Sequence, residues 1–397
     1  MYELNFNTSK KLIKKMSHVK ARKPFDKKTC EFLSELSINI KKNLKSKNYP
    51  DLITFAFYCR KGNLEIIKQN YSKMNNRLGR GNIFHITPSN IAINFAYSFV
   101  FGLLSGNNNI IRLPSKDYEQ IKIFLHALNK TFKKRAFKEF KKFNYFVKYK
   151  KNPKITEILS NFCDMRIVWG GDKTIEDLRS IKLPSGSNEI VFPDRYSITL
   201  VDAKKFNHLN NLEISKVANN FFNDTYIVDQ NACSSPHMVI WVGNIIKKKN
   251  EKFWEELSRI VKKKYKLTHS HSLEKYNKLL KSLGNNNNII SYKNYFNYVY
   301  CVKLSNLDKN VTNLRGKYGL FFEYFSKNLN VLGNISSKKI QTVTYHGFEK
   351  KKLVEFVIDN KLRGIDRIVP IGRALDIGLI WDGYDLAVHL SREIDVK

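Results

Sequence analysis

Short apolar strands that alternate with helices predict an α/β fold with a parallel sheet. Residues 82–86 have the character of a short buried strand, which the segment Thr87-Pro88-Ser89-Asn90 ends. Apolar residues at helical spacing follow over 91–104, and a second strand over 110–113 precedes a helix that begins near Asp117. Strand, turn, helix and strand in this order are typical of parallel sheets.

The same alternation continues along the chain. Residues 166–169 form a predicted strand, followed by a turn at Gly170-Gly171-Asp172 and a helix from Lys173 or Thr174. Further strands are predicted at 197–201, 238–242, 341–345 and 367–370. The first 75 residues are predicted to be mostly helical. A chain of 397 residues is long enough for two or three domains. We predict three parts, at residues 1–203, 204–375 and 376–397.

The formal net charge of +35 suggests nucleic-acid binding, but the composition argues against it. Only 15 of the 70 basic residues are Arg, the residue that reads bases and phosphates with its fork of donors. An excess of Lys and Asn is typical of an AT-rich genome, and no nucleic-acid-binding motif is present. The charge would still favour an acidic partner such as CoA, a phosphorylated cofactor or an acidic carrier protein.

Several signals predict a soluble cytoplasmic protein. The sequence has no apolar run of about 20 residues and no N-terminal secretion signal. Its five cysteines are odd in number and widely spaced, which argues against a disulfide framework and against zinc knuckles. The histidines lack metal-ligand spacing, so no metal site is predicted.

Cys233 is the strongest candidate for a catalytic residue. It stands in the run Asp229-Gln230-Asn231-Ala232-Cys233-Ser234-Ser235-Pro236, among small and polar residues. Because Pro236 prevents a helix from continuing, the thiol is predicted at a break between elements, where a backbone N–H can lie beside it. The other cysteines, Cys30, Cys59, Cys163 and Cys301, have apolar or aromatic neighbours that suit a core.

Asn90 follows the first strand of the α/β pattern. Ligands of open α/β sheets bind at the carboxyl ends of strands, where this amide could donate a hydrogen bond to an oxyanion. The alternative is an N-cap for the helix that follows, a position that Asn favours.

Three further features are candidates for ligand binding. Gly170-Gly171 precedes a helix and could admit a phosphate, although it is not the GxGxxG fingerprint and could be a plain tight turn. Arg112 and Ser115 end the second strand, where they would tolerate a ribose 2′-phosphate; the alternatives are a surface Arg and a helix cap. Glu323 lies among aromatic residues and is either a half-buried carboxylate with a specific partner or part of a solvated face.

Several segments resemble one family when they are taken in order. They are 81–90, 103–107, 111–115, 168–172, 229–236, 341–344 and 367–373. Together they resemble the LuxC-type acyl-CoA reductases, the fatty-acid reductase subunits of bacterial bioluminescence and their relatives. These are distant members of the aldehyde dehydrogenase superfamily. The resemblance covers roughly residues 75–392.

This resemblance implies an aldehyde dehydrogenase-like fold and a reductase of acyl thioesters that uses NADPH, or NADH as the alternative. Cys233 matches the nucleophile that accepts the acyl group from CoA or a carrier protein, and Asn90 matches the oxyanion donor. Thr87, Pro88, Arg112, Ser115, Gly170 and Gly171 fall in cofactor-binding segments, and Glu323 is aligned with the carboxylate that holds the nicotinamide ribose.

The same resemblance assigns roles to the three parts of the chain. Residues 1–203 hold the cofactor, and residues 204–375 hold the catalytic cysteine. Residues 376–397 serve in oligomerisation or return to the first domain. A homo-oligomer and an acyl-protein synthetase partner are also implied.

One departure bears on the chemistry. Aldehyde-oxidising dehydrogenases carry a general-base Glu in a Glu-Leu-Gly-Gly stretch upstream of the cysteine, whereas this chain has Glu189-Ile190-Val191-Phe192-Pro193-Asp194 there. Without a base that activates water, an acyl-enzyme would persist until a hydride arrives. Glu189 and Asp194 are the remaining candidates for that base. An aldehyde-oxidising dehydrogenase and a basic nucleic-acid-binding or scaffold protein are the competing hypotheses.

Overall fold

The chain forms two compact units in a computed structural model that describes residues 2–397. The first unit contains the chain up to Pro193 together with Tyr384–Lys397, and the second contains Asp194–Gly383. Within the described residues, no helix combines the length and the apolar character that crossing a membrane requires.

The first unit is an α/β structure on a six-stranded parallel sheet. Its strands before Pro193 are β1 (Tyr2–Glu3), β2 (Arg77–Gly79), β3 (Asn82–Ile86), β4 (Asn108–Arg112), β5 (Asn144–Lys148), β6 (Met165–Trp169) and β7 (Asn188–Phe192). Its helices there are α1 (Phe6–Met16), α2 (Lys27–Lys42), α3 (Pro50–Tyr58), α4 (Lys61–Asn70), α5 (Asn94–Leu104), α6 (Glu119–Lys133), α7 (Pro153–Phe162) and α8 (Asp172–Arg179), with 3-10 helices at Leu44–Asn48 and Arg135–Lys142.

The strand order of this sheet contains a switch point. The order is β1-β5-β4-β3-β6-β7, so the chain moves outward from β3 to β4 and β5, and then crosses back to β6 and β7 on the other side of β3. In open α/β sheets, ligands bind outside the carboxyl ends of the strands at such a point. The carboxyl ends of β3 and β6 are therefore the place in this unit where a ligand is expected.

The helix after β3 packs entirely inside the first unit. Every residue of α5 is buried, which agrees with its apolar sequence. Gly102 is required within it, because a Cβ at this position would lie 2.1 Å from Oδ1 of Asn109 on β4. The helix begins at Asn94 rather than at the predicted Ile91, since the chain first makes a bend and a turn over residues 89–93.

The second unit is built on a seven-stranded sheet of order β10-β11-β12-β9-β8-β13-β14. Its strands are β8 (Tyr196–Asp202), β9 (Pro236–Val242), β10 (Ile289–Tyr295), β11 (Val299–Leu304), β12 (Leu320–Ser326), β13 (Ile340–His346) and β14 (Arg367–Pro370), and β15 (Ile380–Trp381) lies outside this sheet. Its helices are α9 (Ala203–Asn207), α10 (Asn211–Thr225), α11 (Lys247–Lys264), α12 (His269–Asn285), α13 (Val331–Ile335) and α14 (Lys350–Asp359), with 3-10 helices at Tyr226–Val228 and Lys309–Asn313.

Both faces of the second sheet are buried at its centre. Along β9, Met238 and Ile240 enter one apolar cluster, whereas Val239 and Trp241 enter the cluster on the other side. The sheet is parallel except for the antiparallel pair of β10 and β11. Burial on both faces explains why β9 is continuously apolar from Met238 to Val242, whereas the edge strand β10 is mostly exposed and polar.

The compact units divide the chain at a different place from the predicted boundary at 203/204. Strand β8 lies in the centre of the second sheet, between β9 and β13, so the second unit begins at Asp194. The end of the chain forms β16 (Tyr384–Asp385), α15 (Leu386–His389) and β17 (Ser391–Glu393), and β17 pairs with β2 of the first unit. A buried strand carries no sequence signal for the sheet that it joins, which explains the difference.

Candidate active site

Cys233 lies in a turn at the amino end of β9, in the second unit. The turn follows two successive residues in the left-handed region, Asp229 with φ +55° and Gln230 with φ +57°. This conformation is unfavourable for residues other than glycine and is concentrated at functional sites. The side chain of Gln230 holds it, because Oε1 accepts from Gly319 N at 2.9 Å and Nε2 donates to Leu320 O at 3.2 Å.

The backbone and the sulfur of Cys233 have different partners. Its carbonyl accepts a hydrogen bond of 2.6 Å from Oγ of Ser197 on β8. Its Sγ lies 3.3 Å from Nε2 of Gln341 on β13. No acceptor within residues 2–397 pairs with the Cys233 backbone N–H, so this donor is free to face an oxyanion.

Gln341 is the second residue of β13, and Cys233 lies just before β9. Because β13, β8 and β9 run parallel, these two positions lie at the same end of the sheet. The pairing is irregular there: the register of β13 against β8 shifts between Ile340 and Val343, and that of β8 against β9 shifts between Ser197 and Ile198. Irregularities of this kind occur beside active sites.

Two groups of opposite charge, Asp382 and Arg195, lie beside the Gln341 amide. Its Nε2 donates a short hydrogen bond to Oδ1 of Asp382, and Nη1 of Arg195 lies 3.4 Å from the same oxygen. Arg195 also pairs with Asp366 at 2.5 Å. Burial, with the negative charge of Asp382, raises the pKa of the Cys233 thiol to about 12. The thiol is therefore protonated at neutral pH and needs help to ionise when it attacks.

The remaining cysteines lack such an environment. Cys59, Cys163 and Cys301 are buried, as predicted. Cys30 is half-buried rather than buried, and its Sγ contacts only the Phe25 carbonyl, at 3.8 Å. Burial raises the pKa of the Cys30 thiol to about 11. Of the five cysteines, Cys233 is therefore the one whose thiol is half-buried and has a side-chain hydrogen-bond donor at its sulfur.

The predicted ligand-binding residues of the first unit lie together at its switch point. Ile86 pairs in register with Arg112 on β4 and with Val168 on β6, so the segments that follow these strands share one edge of the sheet. Oγ1 of Thr87 donates to the Arg112 carbonyl at 2.7 Å. The guanidinium of Arg112 stacks over the ring of Tyr149, 4.6 Å from its centroid.

The helix-cap alternatives for Asn90 and Ser115 are wrong. Helix α5 begins at Asn94 with Ile93 as its N-cap, and α6 begins at Glu119 with Tyr118 as its N-cap. Ser115 instead bonds Ser89 through the two hydroxyls at 2.8 Å. Asn90 lies three residues before the N-cap of α5. Its side chain is exposed, and its amide makes no hydrogen bond within the described chain.

Gly170 and Gly171 join β6 to α8, which begins at Asp172. Gly171 has φ −69°, a value open to any residue, and a Cβ added to it would meet nothing within 4 Å. A Cβ at Gly170 would lie 3.3 Å from Thr174. Neither the backbone conformation nor the packing of the protein requires glycine at 171. The open space in front of this helix N-terminus is what a bound phosphate needs.

Glu323 is buried in the middle of β12, which excludes the solvated-face alternative. Its Oε2 accepts from Nε1 of Trp241 at 3.3 Å, Nδ2 of Asn250 at 3.0 Å and Nε1 of Trp254 at 3.0 Å. A carboxylate that satisfies three buried donors stabilises the packing of α11 on the sheet. These contacts favour a structural role over the predicted contact with a ribose.

Replacing Glu323 with Ala is expected to lower the free energy of unfolding by about 3 kcal/mol, because several buried donors lose their acceptor. Urea unfolding of the protein without added nucleotide measures this loss. Glu355→Ala, on the exposed side of α14, is the matched control and should change stability little. Unchanged stability together with weaker nucleotide binding would instead support the ribose role.

The two carboxylates considered as water-activating bases are both ion-paired. Glu189 accepts from Arg166 at 2.7 Å and from Arg179 at 3.2 Å. Asp194 pairs with Arg315 at 2.8 Å. Both carboxylates are therefore occupied by arginine side chains.

Sequence reasoning missed the residues that surround the thiol. Gln341 lies within one of the segments that resemble the family, whereas Asp382 and Arg195 were not predicted as site residues. The signal present in the sequence is Trp381-Asp382-Gly383, a charged residue between an aromatic residue and a glycine. No group of three or more His, Cys, Asp or Glu within residues 2–397 could hold a metal ion.

Several solved structures share this fold at low sequence identity. An oxidoreductase from Marinobacter aquaeolei has a TM-score of 0.64 and 12% identity, covering 91% of this chain and 82% of its own. Aldehyde dehydrogenase 21 from Physcomitrella patens has a TM-score of 0.62 and 9% identity, covering 93% and 82%. Proline utilization A from Corynebacterium freiburgense has a TM-score of 0.71 and 11% identity. That match covers 100% of this chain and 44% of the other protein.

The fold is therefore that of the aldehyde dehydrogenase superfamily. No curated protein sequence matches the chain significantly. The family model described as acyl-CoA reductase (LuxC) matches residues 6–392, which is nearly the whole chain. The chain belongs to the LuxC acyl-CoA reductase family, as its segments predicted, and is an oxidoreductase of a family that acts on acyl thioesters.

Proposed function

We propose that this protein reduces a fatty or other acyl thioester to the aldehyde with NADPH, through an acyl-enzyme on Cys233. The observation that carries the proposal is the half-buried Cys233 thiol in a strained turn, with the Gln341 amide on its sulfur and a free backbone N–H beside it. A nucleophile for acyl transfer needs this combination of access, hydrogen bonding and an oxyanion donor.

The first half-reaction transfers the acyl group. The sulfur of Cys233 attacks the thioester carbonyl and forms a new C–S bond, the bond to CoA or the carrier thiol breaks, and the thiol proton ends on the leaving sulfur. The Cys233 N–H stabilises the oxyanion, and Asn90 is proposed as the second donor, as the family resemblance implies.

The second half-reaction returns the free thiol. Reduced nicotinamide, when bound, supplies a hydride to the acyl carbon. The bond between the acyl carbon and the Cys233 sulfur then breaks as the aldehyde carbonyl forms, and the sulfur leaves as a thiolate that takes a proton from solvent. Since Glu189 and Asp194 are held by arginines, neither competes by activating water against the acyl-enzyme.

The residues at the switch point of the first unit fit a dinucleotide. Gly171 leaves open space before the N-terminus of α8, which suits a pyrophosphate. Arg112 ends β4 and Ser115 follows it, at a position where an acidic residue would prefer the free 2′-hydroxyl of NADH. A basic and a hydroxyl side chain there support NADPH as the preferred cofactor.

Replacing Gly171 with Leu is expected to abolish stabilisation by NADPH. The apo protein should fold with at most a modest loss of Tm, because a Cβ at this position meets no protein atom although Leu is a poorer N-cap than Gly, whereas the pyrophosphate would lose its space. At about 100 times Kd, NADPH should stabilise the wild type by about 2.7 kcal/mol. Thermal shift with NADPH, NADH and DNA measures this, and Gly186→Leu, at a second position with open space, is the control.

A panel of acyl-CoA and acyl-carrier thioesters, followed by NADPH oxidation and aldehyde detection, tests the reaction. The proposal predicts aldehyde that depends on both thioester and NADPH. If aldehyde and NADP⁺ without CoA instead give NADPH and free acid at a higher rate, the protein is an aldehyde-oxidising dehydrogenase. The acyl-protein synthetase partner and the homo-oligomer stay predictions of the resemblance.

A further inference from the structure

Gln341 connects the Cys233 sulfur to a buried carboxylate. One amide nitrogen, Nε2, lies 3.3 Å from Sγ of Cys233 and also donates to Oδ1 of Asp382. An amide NH₂ has two N–H groups, so it can serve both acceptors at once. Because an ionised carboxylate only accepts, Asp382 fixes which end of the amide faces the thiol.

Asp382 is held in an unusual conformation. Its φ is +50° and that of Gly383 is +78°, and its side chain is 3% exposed. Oδ1 has Gln341 and Arg195 near it, but Oδ2 is buried and makes no hydrogen bond within the described chain. A buried carboxylate oxygen without a partner is unfavourable for folding. Folding alone therefore does not explain this group.

We infer that Cys233, Gln341 and Asp382 form a hydrogen-bonded triad, in which the Gln341 amide stabilises the Cys233 thiolate and Asp382 positions the amide. Gln341 is then a catalytic residue because it contacts the reacting sulfur, and Asp382 is a positioning residue. The catalytic part of this inference rests on the proposed function. The amide would act twice, when the sulfur attacks and again when it leaves the thiohemiacetal.

The charged groups around the Cys233 sulfur also affect how readily the thiol ionises. Asp382 and Asp194 disfavour a thiolate, whereas Arg195 and Arg367 favour it. The amide is the neutral donor in direct contact with Sγ. Its removal should therefore move the ionisation of the thiol without changing any nearby charge.

The test is the pH dependence of Cys233 alkylation by iodoacetamide, measured on the full-length protein by peptide mass spectrometry. Gln341→Met keeps the length of the side chain and removes the donor. We expect its alkylation at a given pH to be about tenfold slower and its profile to lie about one pH unit higher. Gln69→Met, on the exposed face of α4, should retain the wild-type profile.

Two variants of Asp382 separate position from charge. Asp382→Asn and Asp382→Ala both remove the negative charge, but only Asn keeps an oxygen that can accept from Gln341. Positioning predicts that the Ala variant reacts about tenfold more slowly than the Asn variant. Asp359→Asn, at an exposed site on α14, controls for a charge change in the same unit.

Each outcome is decisive once thermal unfolding shows that the variants fold, with Gln341→Leu as a second variant if Gln341→Met does not. A wild-type pH profile for Gln341→Met would overturn the triad, and equal rates for the two Asp382 variants would overturn the positioning role. Acylation of the wild type by acyl-CoA is measured separately. If no adduct forms but the alkylation order holds, the proposed function fails and the triad stands.

Discussion

Cys233→Ser is expected to eliminate acyl-thioester reduction, with a loss of about 10³-fold or more in kcat. A serine hydroxyl ionises far less readily than a thiol and is a much weaker nucleophile in the same environment. Incubation with radiolabelled acyl-CoA should label the wild type and leave the variant unlabelled. NADPH-dependent aldehyde formation should fall in parallel.

The control for this experiment is Cys30→Ser. Cys30 is also half-buried, but its sulfur contacts only a backbone carbonyl, so its replacement should leave both labelling and turnover at wild-type levels. Equal labelling of wild type and Cys233→Ser would refute the acyl-enzyme. Nucleotide-induced thermal stabilisation of Cys233→Ser would show that the variant keeps its fold.

Asn90→Ala is expected to lower kcat by about 10²–10³-fold while NADPH binding is unchanged. This is the usual effect of removing one donor to an oxyanion. Because Asn90 is exposed and makes no hydrogen bond within the described chain, its stability should change by less than about 0.5 kcal/mol. Steady-state kinetics and thermal unfolding together separate the two effects.

Asn90→Asp sharpens this test. A carboxylate at the same position would repel a developing oxyanion, so its kcat should be as low as that of Asn90→Ala or lower. Asn70→Ala, at an exposed position in α4, is the matched control. Wild-type kcat in Asn90→Asp would remove Asn90 from the mechanism.

The sequence predicted seven of the strands, missed others such as β5, β7 and β12, and did not show which sheet each strand joins. Residues 82–86 form a strand as predicted, because Gly81 and Pro88 limit an apolar run on both sides. The strand predicted over 197–201 is also present, as Tyr196–Asp202, but it joins the second sheet rather than the first. An apolar segment indicates a buried strand but does not indicate which strands it pairs with.

The candidate site was predictable where it lies within one segment. The turn that carries Cys233 follows from Pro236 and the small residues before it, whereas the cap predictions failed because the chain bends before α5 and α6 begin. Gln341 and Asp382 are separated by 41 residues in the sequence. A contact between side chains so far apart in the chain leaves no local pattern in the sequence.

The most direct test of the central claim is a single-turnover experiment on the wild type. Acyl-CoA without NADPH should give a mass increase equal to one acyl group on the peptide that contains Cys233, with one equivalent of free CoA. Added NADPH should then discharge the adduct as aldehyde, with one equivalent oxidised. Release of the adduct as carboxylic acid, or aldehyde formed with no adduct on Cys233, would contradict the account.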